Sequence, residues 1–166
     1  MSYLETPTRH ITVNNQKIAY RELGEGNSDI PLVMLVHLAA TMDDWDPKLL
    51  DLLAERQHVI VMDLPGVGSS EGSVATSIPG MAHQAAEIIQ ALGYQKANLL
   101  GLSMGGMIAQ EVVRAYPALI NRLVLVGTGP RGGAGIDAVT GTTFGYMARA
   151  SREKISPKRY IFYTHD

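Results

Sequence analysis

The sequence contains no cysteine, so a disulfide framework, a thiolate zinc site and a cysteine nucleophile are all excluded. It also has no excess of either charge, since 14 Lys and Arg residues stand against 16 Asp and Glu residues. Proteins that bind nucleic acid through its phosphates normally present a strongly basic surface. We therefore expect no nucleic-acid partner.

Long apolar runs are missing as well. The longest, residues 32–38, is interrupted by His37 and falls far short of the roughly 18 residues that span a membrane. The first ten residues are polar and lack the basic and then apolar order of a signal peptide. These absences predict a cytoplasmic protein with no membrane partner.

What the chain does have is the length and composition of one globular domain, or of a part of one. It has 166 residues, and its 46% hydrophobic against 18% charged residues can fill a core. Short apolar runs alternate with segments of helical periodicity. The predicted strands are residues 11–13, 17–23, 32–36, 58–62, 97–102 and 122–126, and the predicted helices are residues 46–55, 78–92 and 104–116.

This order of elements predicts an α/β fold, a three-layer α/β/α sandwich with helices on both faces of a mostly parallel sheet. Asn14-Asn15 separates the first two strands and favours a tight turn, so the sheet should begin with an antiparallel hairpin. After Val126 the composition changes: residues 127–145 contain seven glycines, and residues 146–163 have the pattern of one or two amphipathic helices. We therefore divide the chain into a core at residues 1–130 and a helical region at residues 131–166.

One motif stands where a parallel sheet places its chemistry, at the carboxyl end of a buried strand. The segment 101–105 reads G-L-S-M-G between a predicted strand and a predicted helix, which is the pattern of a nucleophile elbow. Side chains at Gly101 and Gly105 would collide with the strand and the helix, while Ser103 is held at the tip. The helix that starts at Met104 points its N-terminal N–H groups at any oxyanion formed there. A glycine-serine turn needs no catalysis, but this strand and helix context favours a nucleophile.

Three ordered motifs give the chain a resemblance to the N-terminal part of an α/β-hydrolase, in the serine esterase and haloperoxidase-like branch. They are the strand that leads to His37, the segment 63–70 with the pattern D-x-x-G-x-G-x-S, and the segment 101–106. Residues 109–117 and 122–126 continue the similarity, which covers about residues 10–130. The resemblance implies that residues 131–166 begin a helical cap.

The resemblance implies a role for each matching position. Ser103 would attack an acyl carbonyl, and the backbone N–H of Met104 would bind the oxyanion. By gapless spacing the second oxyanion donor would be Ala39, with Leu38 as the alternative. Leu38 departs from the family pattern, which has glycine at this position. Gly101 and Gly105 would support the elbow, and His37 would hold its loop rather than act as a base. Such enzymes need no cofactor and no metal.

The expected reaction is hydrolysis of a small ester-like or other acyl substrate through an acyl-enzyme. A serine at position 103, rather than an aspartate, argues against epoxide and carbon–halogen cleavage. We expect Asp63 to fix its own turn rather than act as an acid. We also expect His10, His58 and His83 to be structural or solvated.

The residues that would activate Ser103 are not evident. The family places its acid and histidine after later strands, whereas His165 is the only histidine beyond Ser103 and follows no strand. We therefore expect a truncated chain that is inactive alone, with the missing C-terminal half or a homo-oligomer as its partner.

Two other interpretations were considered. A catalytically inert binding or interaction module with the same fold remains the alternative. Residues 127–132 also match G-x-G-x-x-G, but Pro130 and the surrounding glycines make a poor helix start, which argues against a dinucleotide site.

Overall fold

The computed structural model describes residues 2–162, with no account of the side chains of Asp137 and Phe162. The expectation for His165 lies outside the described residues. The chain divides between Thr128 and Gly129 into two compact units. In neither unit does any helix of the described residues have the length and apolar character needed to cross a membrane.

The N-terminal unit contains a six-stranded sheet and three α-helices. Its strands are β1 (Arg9–Val13), β2 (Gln16–Leu23), β3 (Leu32–Leu35), β4 (Val59–Met62), β5 (Ala97–Leu102) and β6 (Ile120–Val126). Its helices are α1 (Pro47–Ala54), α2 (Ile78–Ala91) and α3 (Met104–Ala115). Short 3-10 helices at Tyr3–Glu5, Met42–Asp44 and Pro117–Leu119 complete the unit.

The sheet is mostly parallel and begins with an antiparallel hairpin, as predicted. Its strand order is β1-β2-β4-β3-β5-β6, in which β1, β2 and β4 pair antiparallel and β4, β3, β5 and β6 pair parallel. Asn14 and Asn15 turn the hairpin at φ angles of 49° and 63°. In the central pairing Leu35 lies opposite Gly101, so the loop that follows β3 starts beside the turn that follows β5.

Helices cover both faces of the sheet, which confirms the three layers. Alternate residues of each central strand point to opposite faces and enter two separate apolar cores. One core packs Val33, Ile60 and Leu99 against α2 and α3. The other packs Met34 and Val59 with residues of α1 and the first 3-10 helix. This double coverage explains why the central strands are unbroken apolar runs.

The edge strand β6 departs from the prediction of a buried strand. Val124, Leu125 and Val126 are each between 43% and 45% exposed. The strand order explains this difference, because β6 pairs with β5 on one side and has no strand of the described chain on the other.

The C-terminal unit consists of two helices, α4 (Ile136–Glu153) and α5 (Lys158–Phe162). Two helices agree with the prediction, but α4 begins ten residues earlier than the apolar pattern indicated. Gly141 and Gly145 lie inside α4, and a Cβ atom at either position would meet nothing within 4 Å. Each of these two glycines lowers the intrinsic stability of a helix by about 1 kcal/mol. The sequence around them therefore does not indicate a helix, and the start of α4 is not predicted.

Candidate active site

Ser103 occupies a strained turn between β5 and α3. Its φ of 53° and ψ of −117° lie in a region that non-glycine residues rarely enter, at a cost of about 1–3 kcal/mol. Two backbone hydrogen bonds hold it there: Ser103 N donates to Val126 O at 2.9 Å, and Ser103 O accepts from Gly106 N at 2.9 Å. The half-buried Ser103 side chain makes no capping hydrogen bond to α3. Its hydroxyl is thus presented at the junction of strand and helix.

Glycines allow the backbone to close around this turn. A Cβ atom at Gly101 would lie 2.5 Å from Gly106 Cα, and one at Gly105 would lie 2.6 Å from the carbonyl carbon of Leu35. One at Gly106 would lie 2.5 Å from Cγ2 of Thr128. Real Cβ atoms do not approach other atoms this closely, so each of these positions needs glycine. The first turn of α3 therefore packs directly against the end of β3.

The amino end of α3 provides hydrogen-bond donors beside Ser103. Met104 is the first residue of this 12-residue helix, where backbone N–H groups have no acceptor within the helix. The aligned peptide dipoles place about half a positive charge at this end. An oxyanion next to Ser103 would be stabilised by both effects.

The loop after β3 contains the second pair of candidate donors. Leu38 and Ala39 form a turn, and Ala39 adopts a φ of 56°, the left-handed conformation that glycine adopts more easily. His37 Nδ1 donates to the carbonyl oxygen of Leu38 at 2.9 Å. Because the C=O and N–H of a peptide point in opposite directions, this bond directs the Ala39 N–H away from the imidazole ring. It also gives His37 a role in holding the loop.

Asp63 joins the two loops at this end of the sheet. Its side chain is 1% exposed, and its two carboxylate oxygens accept from Met42 N at 2.7 Å and from Ser69 N at 3.0 Å. The sequence predicts a role for Asp63 within its own turn, but it gives no sign of the bond to Met42, which begins a 3-10 helix 21 residues earlier. Gly68 leaves room for the carboxylate, because a Cβ there would lie 2.6 Å from Asp63 Cγ.

Three of the described histidines lie in segments that carry none of the proposed nucleophile and oxyanion-hole residues. His10 is exposed on β1, and His58 precedes β4 at the opposite end, with its Nε2 3.3 Å from a Glu22 carboxylate oxygen. His83 lies on α2 with its Nε2 3.4 Å from a Glu87 carboxylate oxygen. These positions agree with the structural or solvated roles expected for them.

A cavity of about 410 Å³ opens beside the candidate oxyanion donors. Its walls come from the loop after β3, the loop after β4, one residue of α2 and the first two turns of α3. Leu38, Ala39, Asp63 and Met104 line it, and Ser103 immediately precedes Met104 in the chain. Within the described part of the chain, no three His, Asp or Glu residues are grouped so as to hold a metal ion. The arrangement can polarise a carbonyl group next to a serine hydroxyl.

Comparisons with known proteins match the chain to one fold family. A family model described as the alpha/beta hydrolase fold matches residues 31–147. The chain is 33% identical over 107 residues to a pimeloyl-[acyl-carrier protein] methyl ester esterase of Pectobacterium carotovorum, covering 64% of this chain and 39% of that protein. It is 32% identical over 136 residues to a poly(3-hydroxyalkanoate) depolymerase of Ectopseudomonas oleovorans, covering 81% of this chain and 44% of that protein.

Solved structures lead to the same family. An alpha/beta hydrolase fold protein from Chitinophaga pinensis superposes with a TM-score of 0.85 at 35% identity, covering 96% of this chain and 55% of that chain. The chain spans about 40% of the length of the curated relatives that it matches. Sequence, topology and strand order thus agree, and the chain belongs to the α/β-hydrolase family.

Proposed function

We propose that this protein is a serine hydrolase that cleaves a small ester through an acyl-enzyme on Ser103. The observation that carries the proposal is the strained backbone of Ser103, whose φ of 53° is maintained between a buried strand and a helix amino end. Strain of this kind persists where the surrounding structure over-determines it, and it is concentrated at functional sites. The name of one relative, a methyl ester esterase, agrees with an ester substrate.

The proposed reaction has two halves. In the first, the Ser103 oxygen bonds to the acyl carbon, its proton passes to a base, and the alcohol leaves after taking up a proton. In the second, water attacks the acyl carbon, loses a proton to the same base and releases the acid, and the proton returns to Ser103. Backbone N–H groups of Met104 and Ala39 would bind the oxygen that becomes negative in both halves.

The base and its orienting acid are proposed to come from outside the described residues. Of the histidines that the structure describes, His37 alone lines the cavity beside Met104, and its Nδ1 donates to the Leu38 carbonyl. The matched relatives are more than twice as long as the matched segment. We therefore propose that a further polypeptide segment provides the acid and histidine, either from a C-terminal half or from a second copy of the chain.

Ester hydrolysis tests this proposal. In the presence of the segment that provides the acid and histidine, the protein should hydrolyse p-nitrophenyl butyrate, and Ser103→Ala should lower kcat by at least about 10³-fold, as in other serine hydrolases. Ser151→Ala, an exposed serine on α4, is the matched control and should keep the rate. Equal rates for the native protein and Ser103→Ala would contradict the proposal. A folded protein that binds the ester without turnover would instead support the inert binding module.

A further inference from the structure

The walls of the cavity beside Met104 are almost entirely apolar. Val67 and Val74 come from the loop after β4, Met81 comes from α2, and Met104 and Ile108 come from α3. The volume of about 410 Å³ lies at the small end of the range of about 300–1,000 Å³ that ligand pockets occupy. A short apolar group fits this space in both chemistry and size.

Apart from the proposed oxyanion donors at Met104 and Ala39, the walls provide no site for a negative charge. His37 also lines the cavity, and its Nδ1 donates to the carbonyl oxygen of Leu38. Among the described residues that line the cavity there is no Lys and no Arg. The one carboxylate, Asp63, is buried, and both of its oxygens accept backbone N–H groups. A second carboxylate brought into this cavity would lose its hydration, would find no cationic partner, and would be repelled by Asp63.

From these two observations we propose that the cavity binds the acyl chain of the substrate, and that this chain is an uncharged alkyl group. This inference rests on the proposed attack by Ser103. It also makes Val74 a specificity-determining residue, because its side chain lines the cavity and is 49% exposed at the mouth. A charged side chain at this position can reach both solvent and the end of a bound chain.

Two esters of equal acyl length separate the neutral from the anionic substrate class. The protein should hydrolyse methyl hexanoate with a kcat/KM at least about 100-fold above that for monomethyl adipate, whose acyl chain ends in a carboxylate. Within the neutral series, each added methylene up to hexanoate should raise kcat/KM about threefold to fourfold. Comparable kcat/KM values for the two esters would overturn the inference.

Val74→Lys tests the assigned residue. The new ammonium group should lower the preference for methyl hexanoate by about tenfold, mainly by raising kcat/KM for monomethyl adipate. Leu52→Lys is the matched control, because Leu52 is equally exposed but lies on α1 and does not line the cavity. An unchanged preference in a folded Val74→Lys protein, or the same change in Leu52→Lys, would contradict the assignment.

Binding to Ser103→Ala separates this inference from the proposed function. Ligand-observed NMR should show that this variant binds methyl hexanoate and does not bind monomethyl adipate at the same concentration. Equal binding of both esters, or binding of neither, would overturn the apolar acyl site whatever the catalytic role of Ser103. Undiminished hydrolysis of methyl hexanoate by Ser103→Ala would overturn the proposed function. The acyl-chain assignment of the cavity rests on that function and would be overturned as well.

Discussion

Replacement of Asp63 should loosen the loops on both sides of the candidate site. In the native protein one oxygen of this carboxylate accepts the N–H of Met42, and the other accepts the N–H of Ser69. The first bond holds the segment that follows the Leu38–Ala39 turn, and the second holds the loop after β4. Asp63→Ala leaves both N–H groups without their acceptor, in a place where the native side chain is almost fully buried.

The size of the effect follows from these two bonds. A hydrogen bond between a charged group and a buried partner contributes about 1.5–3 kcal/mol, so two bonds set an upper range of about 3–6 kcal/mol. Water that enters the vacated space would recover part of this, so we expect a loss of about 3 kcal/mol in the free energy of unfolding. Asp63→Asn keeps one acceptor oxygen and should lose about half as much.

Urea denaturation measures the free energy of unfolding. The rate of ester hydrolysis reports whether the loops still hold the oxyanion donors in place. At a temperature where Asp63→Asn is folded, its kcat/KM should fall by about tenfold or more, because small displacements of oxyanion donors are costly. Asp51→Asn is the control, since Asp51 accepts a single N–H, that of Tyr3 at 2.6 Å, outside the cavity. A loss below about 1 kcal/mol in Asp63→Ala, or full activity in Asp63→Asn, would refute this reasoning.

Three further predictions test individual features of the backbone and the charges. Ala39→Gly should raise the free energy of unfolding by about 1 kcal/mol, because Ala39 has a φ of 56°. Ala40→Gly is the control and should lower the free energy of unfolding. A higher free energy of unfolding in both variants would show that backbone strain at Ala39 is not the cause. Gly105→Ala should prevent folding or destabilise the protein strongly, because a Cβ atom there would collide with Leu35. Gly141→Ala, on an open helix surface, should stabilise the protein by about 0.5–1 kcal/mol. Thermal melts in which Gly105→Ala is as stable as Gly141→Ala would contradict the packing at the elbow. Burial, with the nearby Glu22 carboxylate, raises the pKa of Tyr94 to about 12. The folded state therefore holds the phenol proton more tightly than the unfolded state, and stability is lost as the pH rises from about 10 to 12. Tyr94→Phe should lose less stability over that interval in urea denaturation at each pH, and an identical decline in both proteins would contradict the assigned environment.

Much of the fold could be predicted because its signals are local. Unbroken apolar runs indicate strands covered on both faces, and helical spacing indicates the helices between them. The start of α1 was equally clear: Asp46 accepts the N–H of Leu49 at 3.0 Å and Pro47 follows it, as a helix start requires. The early start of α4 was missed because its glycines carry no apolar pattern.

The candidate site was predictable in its motif and not in its cross-loop contacts. Gly101 is constrained by atoms of Gly105 and Gly106, and a constraint between residues so close in sequence is visible in a short pattern. The constraint on Gly105 comes from Leu35, which only the folded sheet brings close. The bond from Met42 to Asp63 joins segments that only the folded sheet brings together, so no local signal reveals it. The acyl cavity depends in the same way on side chains from four segments.

The central claim is that Ser103 is the nucleophile, and covalent labelling tests it most directly. In the presence of the segment that provides the acid and histidine, a fluorophosphonate probe should label the folded protein once, and mass spectrometry of the digested protein should find the probe on Ser103. Ser103→Ala should remain unlabelled, and Ser151→Ala should be labelled as well as the native protein. A folded native protein that takes up no label, or a Ser103→Ala variant that is labelled equally, would contradict the account.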